Sequence, residues 1–354
     1  MRKLTALLFV GALAACHDAV FSPPPVAVRG PVDSGNVHRV TLNPGADLFP
    51  AWLPDGSAII YSYDANGFPP FRARCLGMIA PEGGTRTEYS CKVRAASDSI
   101  DESDWPAPGP GGSLAYTWSP FGRNPYLQDS TVVLVGTLAT VGASRPAFSF
   151  PYIPAGSKIR KYTAATSLGW LNATTLIASA YVTTIVQDTS VTTFKPETCG
   201  KDVILLDLTT SPAALSVVAN TATSTSVAVG SSGLIYYTLI GDSRVYRRVL
   251  ATGVDSVIHD FGAAGIARDV SVGGGRLAAI VGGTVVTGVD PVNGAFQEDH
   301  GGLIHVVTLA TDADTILPDS GFVFRHPALS PTGDRLETEA WQGKSVDLWF
   351  FKLP

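Results

Sequence analysis

The sequence predicts an all-β protein built from a repeated hairpin, and three observations support that class. The clearest hairpin runs from Phe49 to Tyr61, where two short apolar segments flank Pro54-Asp55-Gly56. An aspartate there can hydrogen-bond its own backbone and a glycine accepts positive φ, so this tripeptide is typical of a tight turn. Weaker copies of the hairpin recur along the 354 residues. The composition agrees, since 36 glycines and 25 prolines accompany a charged fraction of only 16%, against about 25% in an average soluble domain.

Six segments can be aligned on this hairpin. Each has small or apolar residues, a turn of the Gly, Pro or Asn type, and then a short apolar strand. Their spacing of roughly 43 to 63 residues suits four-stranded units with loops of variable length. Two further strand candidates follow each hairpin except the last, after which only Val346–Leu353 remains. The six segments are Pro50–Tyr61, Trp105–Tyr116, Leu168–Ser179, Val227–Tyr237, Val270–Ile280 and Pro327–Thr338.

The strand count predicts how the repeats close. The last unit has three strand candidates, and one unassigned strand, Val37–Leu42, precedes the first hairpin. If that strand completes the final unit, the ring of repeats has no open edge that could template aggregation. We therefore expect a six-bladed β-propeller over residues 37–354, closed by the N-terminal strand pairing with the last blade.

Two of the hairpins resemble a known repeat. Pro50–Tyr61 reads P-A-W-L-P-D-G-S-A-I-I-Y and Leu329–Leu336 reads L-S-P-T-G-D-R-L. Both are similar to the PD40 (WD40-like) repeat of TolB-type six-bladed propellers, while the other four hairpins keep the pattern without those letters. The resemblance implies a propeller that binds a protein or peptide, although propellers also serve as scaffolds and enzymes. The separate domain that precedes the propeller in TolB itself is not expected here.

The first 16 residues predict export. Arg2 and Lys3 precede a short apolar run, Leu4–Leu13, which is shorter than the roughly 20 residues needed to cross a bilayer. The run leads into Leu-Ala-Ala-Cys16, which resembles the lipobox of bacterial lipoproteins. By that resemblance Cys16 becomes the first mature residue and carries lipid. The alternative is an ordinary signal peptide cut near Ala15, with an incidental cysteine after it.

The segment after the lipobox predicts a tether. Residues 17–36 contain Pro23-Pro24-Pro25 and Pro31 with little periodicity, so we expect a flexible, Pro-rich linker with local polyproline stiffness. The expected location is the cell envelope, with a lipid anchor in the outer membrane on its periplasmic or surface side. A net charge of −5 without a basic patch argues against nucleic-acid binding. We expect a monomer that meets the membrane through the anchor alone.

The remaining cysteines are Cys75, Cys91 and Cys199. Cys75 and Cys91 flank the turn Pro81–Gly84 almost symmetrically, which places them opposite each other in an antiparallel pair and within reach of a disulfide. Such bonds persist in exported proteins. A metal site would need histidines nearby, and the local sequence has none. Cys199 has no evident partner, and we expect it to be a free or incidental thiol in a loop.

Tryptophans and histidines offer candidate chemistry, each with a structural alternative. Trp52, Trp105 and Trp170 begin three of the blades, and we interpret them as packing between blades, the alternative being a sugar-stacking platform in the channel. Glu298–His300 with His305 could form a metal cluster, but the spacing matches no defensible signature and an acidic solvated loop is favoured. The sequence has no G-x-S-x-G, H-E-x-x-H or P-loop motif. We expect no cofactor, no metal and no catalytic residue.

Loop lengths predict which face of the propeller carries recognition. Turns between the first and second strands and between the third and fourth are short, whereas connections on the other face are long. Long loops on one side of a rigid scaffold are the usual place for binding. The long connections are Asp64–Phe71, Ser119–Ser130, Thr183–Lys201 and Gly282–Gly302. On that face we expect eight ligand-binding residues at the channel mouth: Asp47, Asp104, Ser167, Ser226, Arg268, Asp269, Arg325 and His326.

These observations favour a lipid-anchored module that binds an envelope protein or peptide or acts as a scaffold. The mixed charge of the eight residues suits a polar peptide or small ligand, and a solvated rim without a ligand is the alternative. The rival function is a propeller enzyme acting on a polysaccharide, a lyase or hydrolase with a His/Asp site at the channel mouth. Converging His, Asp and Glu side chains would favour the enzyme, whereas a lining of Ser, Thr and Gly would favour the binder.

Overall fold

The part of the chain that the structure describes is all-β, with 65% strand and 3% helix, arranged as a β-propeller. The predicted signal peptide with Cys16, nearly all of the predicted tether, and Cys91 lie outside the described residues. Within the described part, no helix has the length and apolar character needed to cross a membrane. The computed structural model describes residues 34–42, 45–64, 74–90, 100–121, 131–139, 143–153, 160–187, 194–219, 221, 223–231, 233–290, 294–318, 322–342 and 345–354.

The N-terminal part forms one short strand and an eight-stranded sheet. The sheet divides into two four-stranded antiparallel units, joined by a parallel bridge between Arg74 and Glu102. The short strand is β1 (Val37–Arg39). The first unit is β2 (Asp47–Trp52), β3 (Ile59–Asp64), β4 (Arg74–Ile79) and β5 (Thr87–Ser90). The second unit is β6 (Ile100–Pro108), β7 (Ser113–Phe121), β8 (Val132–Thr137) and β9 (Arg145–Ser149).

The rest of the chain forms four separate four-stranded antiparallel sheets and a two-stranded hairpin. The first sheet is β10 (Arg160–Asn172), β11 (Thr175–Gln187), β12 (Phe194–Asp207) and β13 (Ala214–Val217). The second is β14 (Ser224–Val229), β15 (Leu234–Leu239), β16 (Arg244–Val249) and β17 (Val254–Asp260). The third is β18 (Ala267–Gly273) and β19 (Arg276–Val281), then, after the hairpin β20 (Thr284–Asp290) and β21 (Gly294–His300), β22 (Leu303–Thr308) and β23 (Ala313–Ile316). The last is β24 (Val323–Leu329), β25 (Arg335–Gln342) and β26 (Ser345–Lys352), completed by β1.

The ring closes by the pairing that the strand count predicts. β1 lies antiparallel to β26, with Val37 opposite Phe351 and Arg39 opposite Trp349. The contact continues past the strand, since the Val40 N–H donates to the Leu348 carbonyl at 2.8 Å. The last sheet is therefore built from both ends of the propeller, which ties the first and last repeats together.

The core lies between neighbouring sheets. Strands with both faces covered read as nearly continuous apolar runs, and β3 is an example, with Ile59, Ile60 and Tyr61 fully buried. Two tryptophans bridge adjacent first strands as predicted. The Trp52 Nε1–H donates to the Ala328 carbonyl at 2.9 Å, and the Trp170 Nε1–H donates to that of Ala107 at 2.8 Å. Each indole thus fills a wedge between two sheets and satisfies its polar group there.

Two predicted long loops contain strand instead. In Thr183–Lys201, β11 continues to Gln187 and β12 begins at Phe194, because a run rich in Val, Thr and Ile favours extended backbone. The segment Gly282–Gly302 folds into the hairpin β20–β21 for the same reason. Cys199, predicted to lie in a loop, lies in β12 opposite Thr183.

Candidate functional site

In each four-stranded unit, the pairing between the first and second strands is interrupted at an equivalent position. At each interruption the register with the second strand shifts, which is the mark of a β-bulge. A bulge bends its strand and re-aims a side chain. The shifts fall between Leu48 and Ala51, Asp104 and Ala107, Thr166 and Gly169, Ser224 and Ser226, Arg268 and Ser271, and Arg325 and Ala328.

Five of these bulges hold a non-glycine residue in the left-handed region of backbone space. The φ angles are 54° at Phe49, 52° at Trp105, 51° at Ser167, 49° at Asp269 and 46° at His326. Such a conformation costs a residue with a Cβ about 1–2 kcal/mol. All five side chains line one central cavity. The repeated strain therefore coincides with the placement of one side chain per strand in the channel.

The cavity has a volume of about 530 Å³, within the range of about 300–1,000 Å³ seen for small-molecule sites. It runs from the bulges along the first strands to the short turns, where the exposed residues Pro54, Pro110 and Pro331 form its rim. The described cavity thus meets solvent at the short-turn face.

The cavity has two unlike halves. The first strands contact one another in a closed sequence, in which β24, β2 and β6 are neighbours and so are β10, β14 and β18. The first group supplies what we call the aromatic-proline half: Phe49-Pro50, Trp105-Pro106 and His326-Pro327. The second group supplies the hydroxyl-carboxylate half, in which Ser167, Ser226, Asp269 and Ser271 stand among aliphatic residues and the indole of Trp170.

Three rings meet in the aromatic-proline half. The centroids of Phe49 and Trp105 are 4.0 Å apart with an interplanar angle of 26°. The His326 ring lies 5.0 Å from Phe49 and 4.8 Å from Trp105, on which it packs edge-on. Stacked and edge-on contacts of this kind add favourable energy beyond the burial of area. Trp105 thus packs against residues of two other first strands, as predicted for packing between blades, and its ring also lines the cavity.

Glu339 on β25 contacts this cluster and does not itself line the cavity. Its side chain is fully buried, and Oε1 accepts the Phe49 N–H at 2.6 Å and lies 2.7 Å from His326 Nδ1. Oε2 accepts the Trp341 Nε1–H at 3.2 Å. One carboxylate thus joins two adjacent first strands and fixes the orientation of the imidazole.

Opposite charges lie next to each other at the channel wall. The His326 Nε2 atom is 3.9 Å from Asp269 Oδ2. Burial lowers the pKa of His326, but the carboxylates of Glu339 and Asp269 outweigh it and raise that pKa above its usual value. Burial likewise raises the pKa of Asp269, but His326 and three further cations outweigh it and hold that pKa below its usual range. Asp269 is therefore ionised at neutral pH.

Four of the eight predicted ligand-binding residues line the cavity, namely Ser167, Ser226, Asp269 and His326. The other four lie elsewhere. Asp47 is fully buried in β2, opposite Tyr63. The guanidinium of Arg325 lies 5.8 Å from the Trp341 ring.

Arg268 and Asp104 make polar contacts at connections between strands and not in the cavity. The Arg268 guanidinium donates to the carbonyls of Gly282 and Gly301, at the base of the β20–β21 hairpin. Asp104 lies 3.1 Å from Arg74 Nη2, beside the bridge between β4 and β6. Burial raises the pKa of Asp104 to about 7, although Arg74 opposes the shift.

Sequence reasoning did not assign Phe49, Glu339 or Trp341 to the site. A signal was present, since F-P-A, W-P-A and H-P-A stand at equivalent positions of three repeats. The alternative of a metal cluster at Glu298–His300 and His305 is not tested, because the side chains of Glu298–His300 lie outside the described residues. His305 Nδ1 lies 2.7 Å from Asp314 Oδ2, and Glu298–His300, expected in a solvated loop, belong to strand β21. In the described ranges no group of three or more His, Cys, Asp and Glu residues could hold a metal ion.

Comparison with known proteins shows the fold. A scan against family models finds no match, and a search of curated proteins finds none either. A gluconolactonase from Xanthomonas campestris superposes with a TM-score of 0.54 at 11% identity, over 92% of this chain and 94% of that one. An oligogalacturonate lyase from Vibrio parahaemolyticus gives 0.52 at 10% identity, over 92% and 96%. The fold is a β-propeller.

TolB from Acinetobacter baumannii is also similar to this chain. The match has a TM-score of 0.48 at 12% identity and covers 87% of this chain but 63% of that one. At that TM-score it adds nothing to the argument. The two closer superpositions, at 10% and 11% identity, concern the fold and not the activity.

Proposed function

We propose that the chain is a six-bladed, PD40-type propeller that binds a protein or peptide of the cell envelope in its central channel. The blade count follows when the two halves of the eight-stranded sheet, β2–β5 and β6–β9, are taken as separate blades. Four further four-stranded sheets then make six. The closed sequence of contacts among β2, β6, β10, β14, β18 and β24 supports the same count.

The observation that carries the binding function is the preformed, two-sided cavity. Its polar side chains are tied to the scaffold: the Val270 N–H donates to Ser226 Oγ at 2.9 Å, and the Leu329 N–H donates to Ser271 Oγ at 2.9 Å. Groups held in this way give a pocket a fixed shape and a few fixed polar contacts. A site that is rigid before binding loses little entropy when the ligand enters.

The cellular setting of the proposal comes from the N-terminal sequence. A lipid on Cys16 would anchor the protein in the outer membrane, and residues 17–36 would hold the propeller away from it. In this setting the protein acts as a monomer, with the membrane met through the anchor alone. Neither a metal ion nor a cofactor is part of the proposal.

A polysaccharide enzyme is the second candidate, and one observation favours it. His326 and Asp269 lie at the wall of the cavity beside two aromatic rings, and the buried carboxylate of Glu339 contacts the imidazole from within the protein. Incubating the protein with envelope polysaccharides and measuring new reducing ends or unsaturated products tests this candidate. A product formed by the natural protein and lost in His326→Gln would replace the binding proposal by an enzymatic one.

Affinity capture from envelope extract tests the binding proposal. We expect the mature protein to recover a protein or peptide partner, and Asp269→Asn to reduce that recovery at least tenfold. Asp104→Asn is the matched control, since Asp104 also lies at a bulge but does not line the cavity. Thermal melting of both variants confirms that they are folded. Unchanged recovery with Asp269→Asn and loss with Asp104→Asn would place recognition on the long-loop face, as the loop lengths predict.

A disulfide between Cys75 and Cys91 is a further part of the proposal. Cys75 is fully buried in β4. Leu76 pairs with Ser90, and in an antiparallel pair this register, if continued by one residue, sets Cys75 opposite Cys91. The chain-entropy model gives a loop of this size roughly 3 kcal/mol, before any strain. Mass spectrometry of a non-reduced digest should recover the two peptides joined. Alkylation of both thiols without prior reduction would show that the pairing is wrong.

A further inference from the structure

The two halves of the cavity suit different parts of a ligand. The aromatic-proline half offers ring faces and proline carbons to an apolar surface. In the hydroxyl-carboxylate half, Ser226 and Ser271 already accept hydrogen bonds from neighbouring first strands. Asp269 meets its neighbour through Oδ2, at 3.4 Å from the His326 N–H, and 16% of its side chain is exposed. Asp269 is thus the strongest acceptor available to a ligand.

The charges around Asp269 select a neutral ligand. The His326 imidazole, a cation when protonated, lies nearest at 3.9 Å, and Arg325, Arg268 and Lys201 also act on the carboxylate. A lysine or arginine side chain would add a further positive charge to this group, while an acidic one would face Asp269 and the buried Glu339. A neutral hydrogen-bond donor meets neither repulsion.

The hydrogen-bonding groups of the lining favour an aromatic side chain over a sugar. A sugar ring carries hydroxyl groups around its edge, and each needs a partner when it is buried. The aromatic-proline half has no hydroxyl or carboxylate to meet them, and in the other half Ser226 and Ser271 already accept hydrogen bonds from the backbone. A phenol or indole carries a single donor on an otherwise apolar ring, which matches one carboxylate facing a wall of rings.

We propose that the channel recognises a tyrosine or tryptophan side chain of its partner, with the ring against Trp105 and Phe49 and the O–H or N–H donated to Asp269. The inference rests on the proposed binding function, because it assumes that a polypeptide enters the channel. A cavity of about 530 Å³ has room for one such side chain and part of its backbone.

Titration with N-acetyl amino-acid amides, followed by ligand-observed NMR or calorimetry, tests the chemistry of the channel without the partner. We expect the tyrosine and tryptophan amides to bind about tenfold more tightly than the phenylalanine amide, which is the effect of one hydrogen bond to a charged acceptor. In Asp269→Asn this preference should fall to threefold or less, while the phenylalanine amide binds as before. Asp104→Asn should retain the natural preference.

Three results would overturn the inference: equal binding of all three aromatic amides, tightest binding of the lysine amide, or binding of a methyl glycoside without any aromatic amide. Failure here is distinct from failure of the proposed function. Capture of a partner through Asp269 with no aromatic preference would reject only the inference. Aromatic preference in the channel with no partner recovered would reject the binding module, and would leave only the preference of the channel for an aromatic donor.

Discussion

Deleting residues up to Leu42 should unfold the propeller or lower its free energy of unfolding by about 5 kcal/mol, whereas deleting residues up to Ser34 should change it by less than about 1 kcal/mol. The first deletion removes β1, the hydrogen bonds to β26 and the buried side chain of Val40. It also removes the Arg39 guanidinium, which pairs with the buried carboxylate of Asp347. Denaturant unfolding of the two truncated proteins measures the difference.

The same deletion should change the solution behaviour. Without β1, strand β26 becomes an edge with a row of free backbone groups, and such edges template aggregation. Size-exclusion chromatography should show larger species for the longer deletion only. Arg39→Ala is the informative intermediate, because it keeps the strand but takes the cation away from Asp347. Equal stability and equal size of both truncations would contradict the closure of the ring by β1.

The architecture was predictable because it rests on local signals repeated many times. Pro54-Asp55-Gly56 specifies a turn by its own backbone preferences, and Gly56 has the expected positive φ of 70°. Spacing and the apolar pattern of each hairpin then leave few alternatives for how strands pair. Strand boundaries were less predictable at β11 and β12, where Thr183–Lys201 is expected as a long connection although its β-branched residues keep the backbone extended at both ends.

The site was only half predictable, and the bulges explain why. Successive side chains in a strand point to opposite sides, so Arg268 and Asp269, or Arg325 and His326, cannot both face the channel. The bulge decides which one does, and a positive φ at Asp269 or His326 is set by packing against neighbouring strands. Aspartate and histidine adopt that conformation more often than most residues with a Cβ, but still too rarely to predict it at one position. The sequence therefore predicted residues that lie at or beside the bulges, but it could not show which of two neighbours lines the cavity.

The role of Glu339 was hidden for another reason. A glutamate in a strand is usually solvated, and L-E-T-E-A-W gives no sign that its two glutamates, Glu337 and Glu339, are both fully buried. Burial of Glu339 becomes favourable only because the Phe49 N–H, His326 and the Trp341 N–H reach the same carboxylate from three directions. Such convergence depends on three different strands, so it exists in the tertiary structure and not in any one segment.

Replacing Glu339 should destabilise the protein and change how its stability depends on pH. Glu339→Ala removes the partner of a buried imidazole and leaves the Phe49 N–H without an acceptor. The expected loss is about 3–5 kcal/mol, as for other buried pairs broken on one side. Glu339→Gln keeps the shape and an acceptor oxygen, so its loss should be smaller, about 1–2 kcal/mol. Urea unfolding of both variants beside the natural protein gives the values.

The pH dependence of stability shows whether Glu339 acts through the charge of His326. The folded-state pKa of His326 is raised above its usual value of 6.5, so its contribution is fully present below about pH 6.5 and is lost as the pH rises through the folded-state pKa. Glu339→Gln should lower the pKa of His326, and stability should then fall less as the pH rises through this window. Asp269 still raises that pKa, so part of the pH dependence should remain. An NMR titration of the His326 ring follows the pKa directly. Asp314→Asn, which changes the partner of His305, should leave the His326 titration unchanged, and an unaltered His326 pKa in Glu339→Gln would show that Glu339 is not the group that holds its proton.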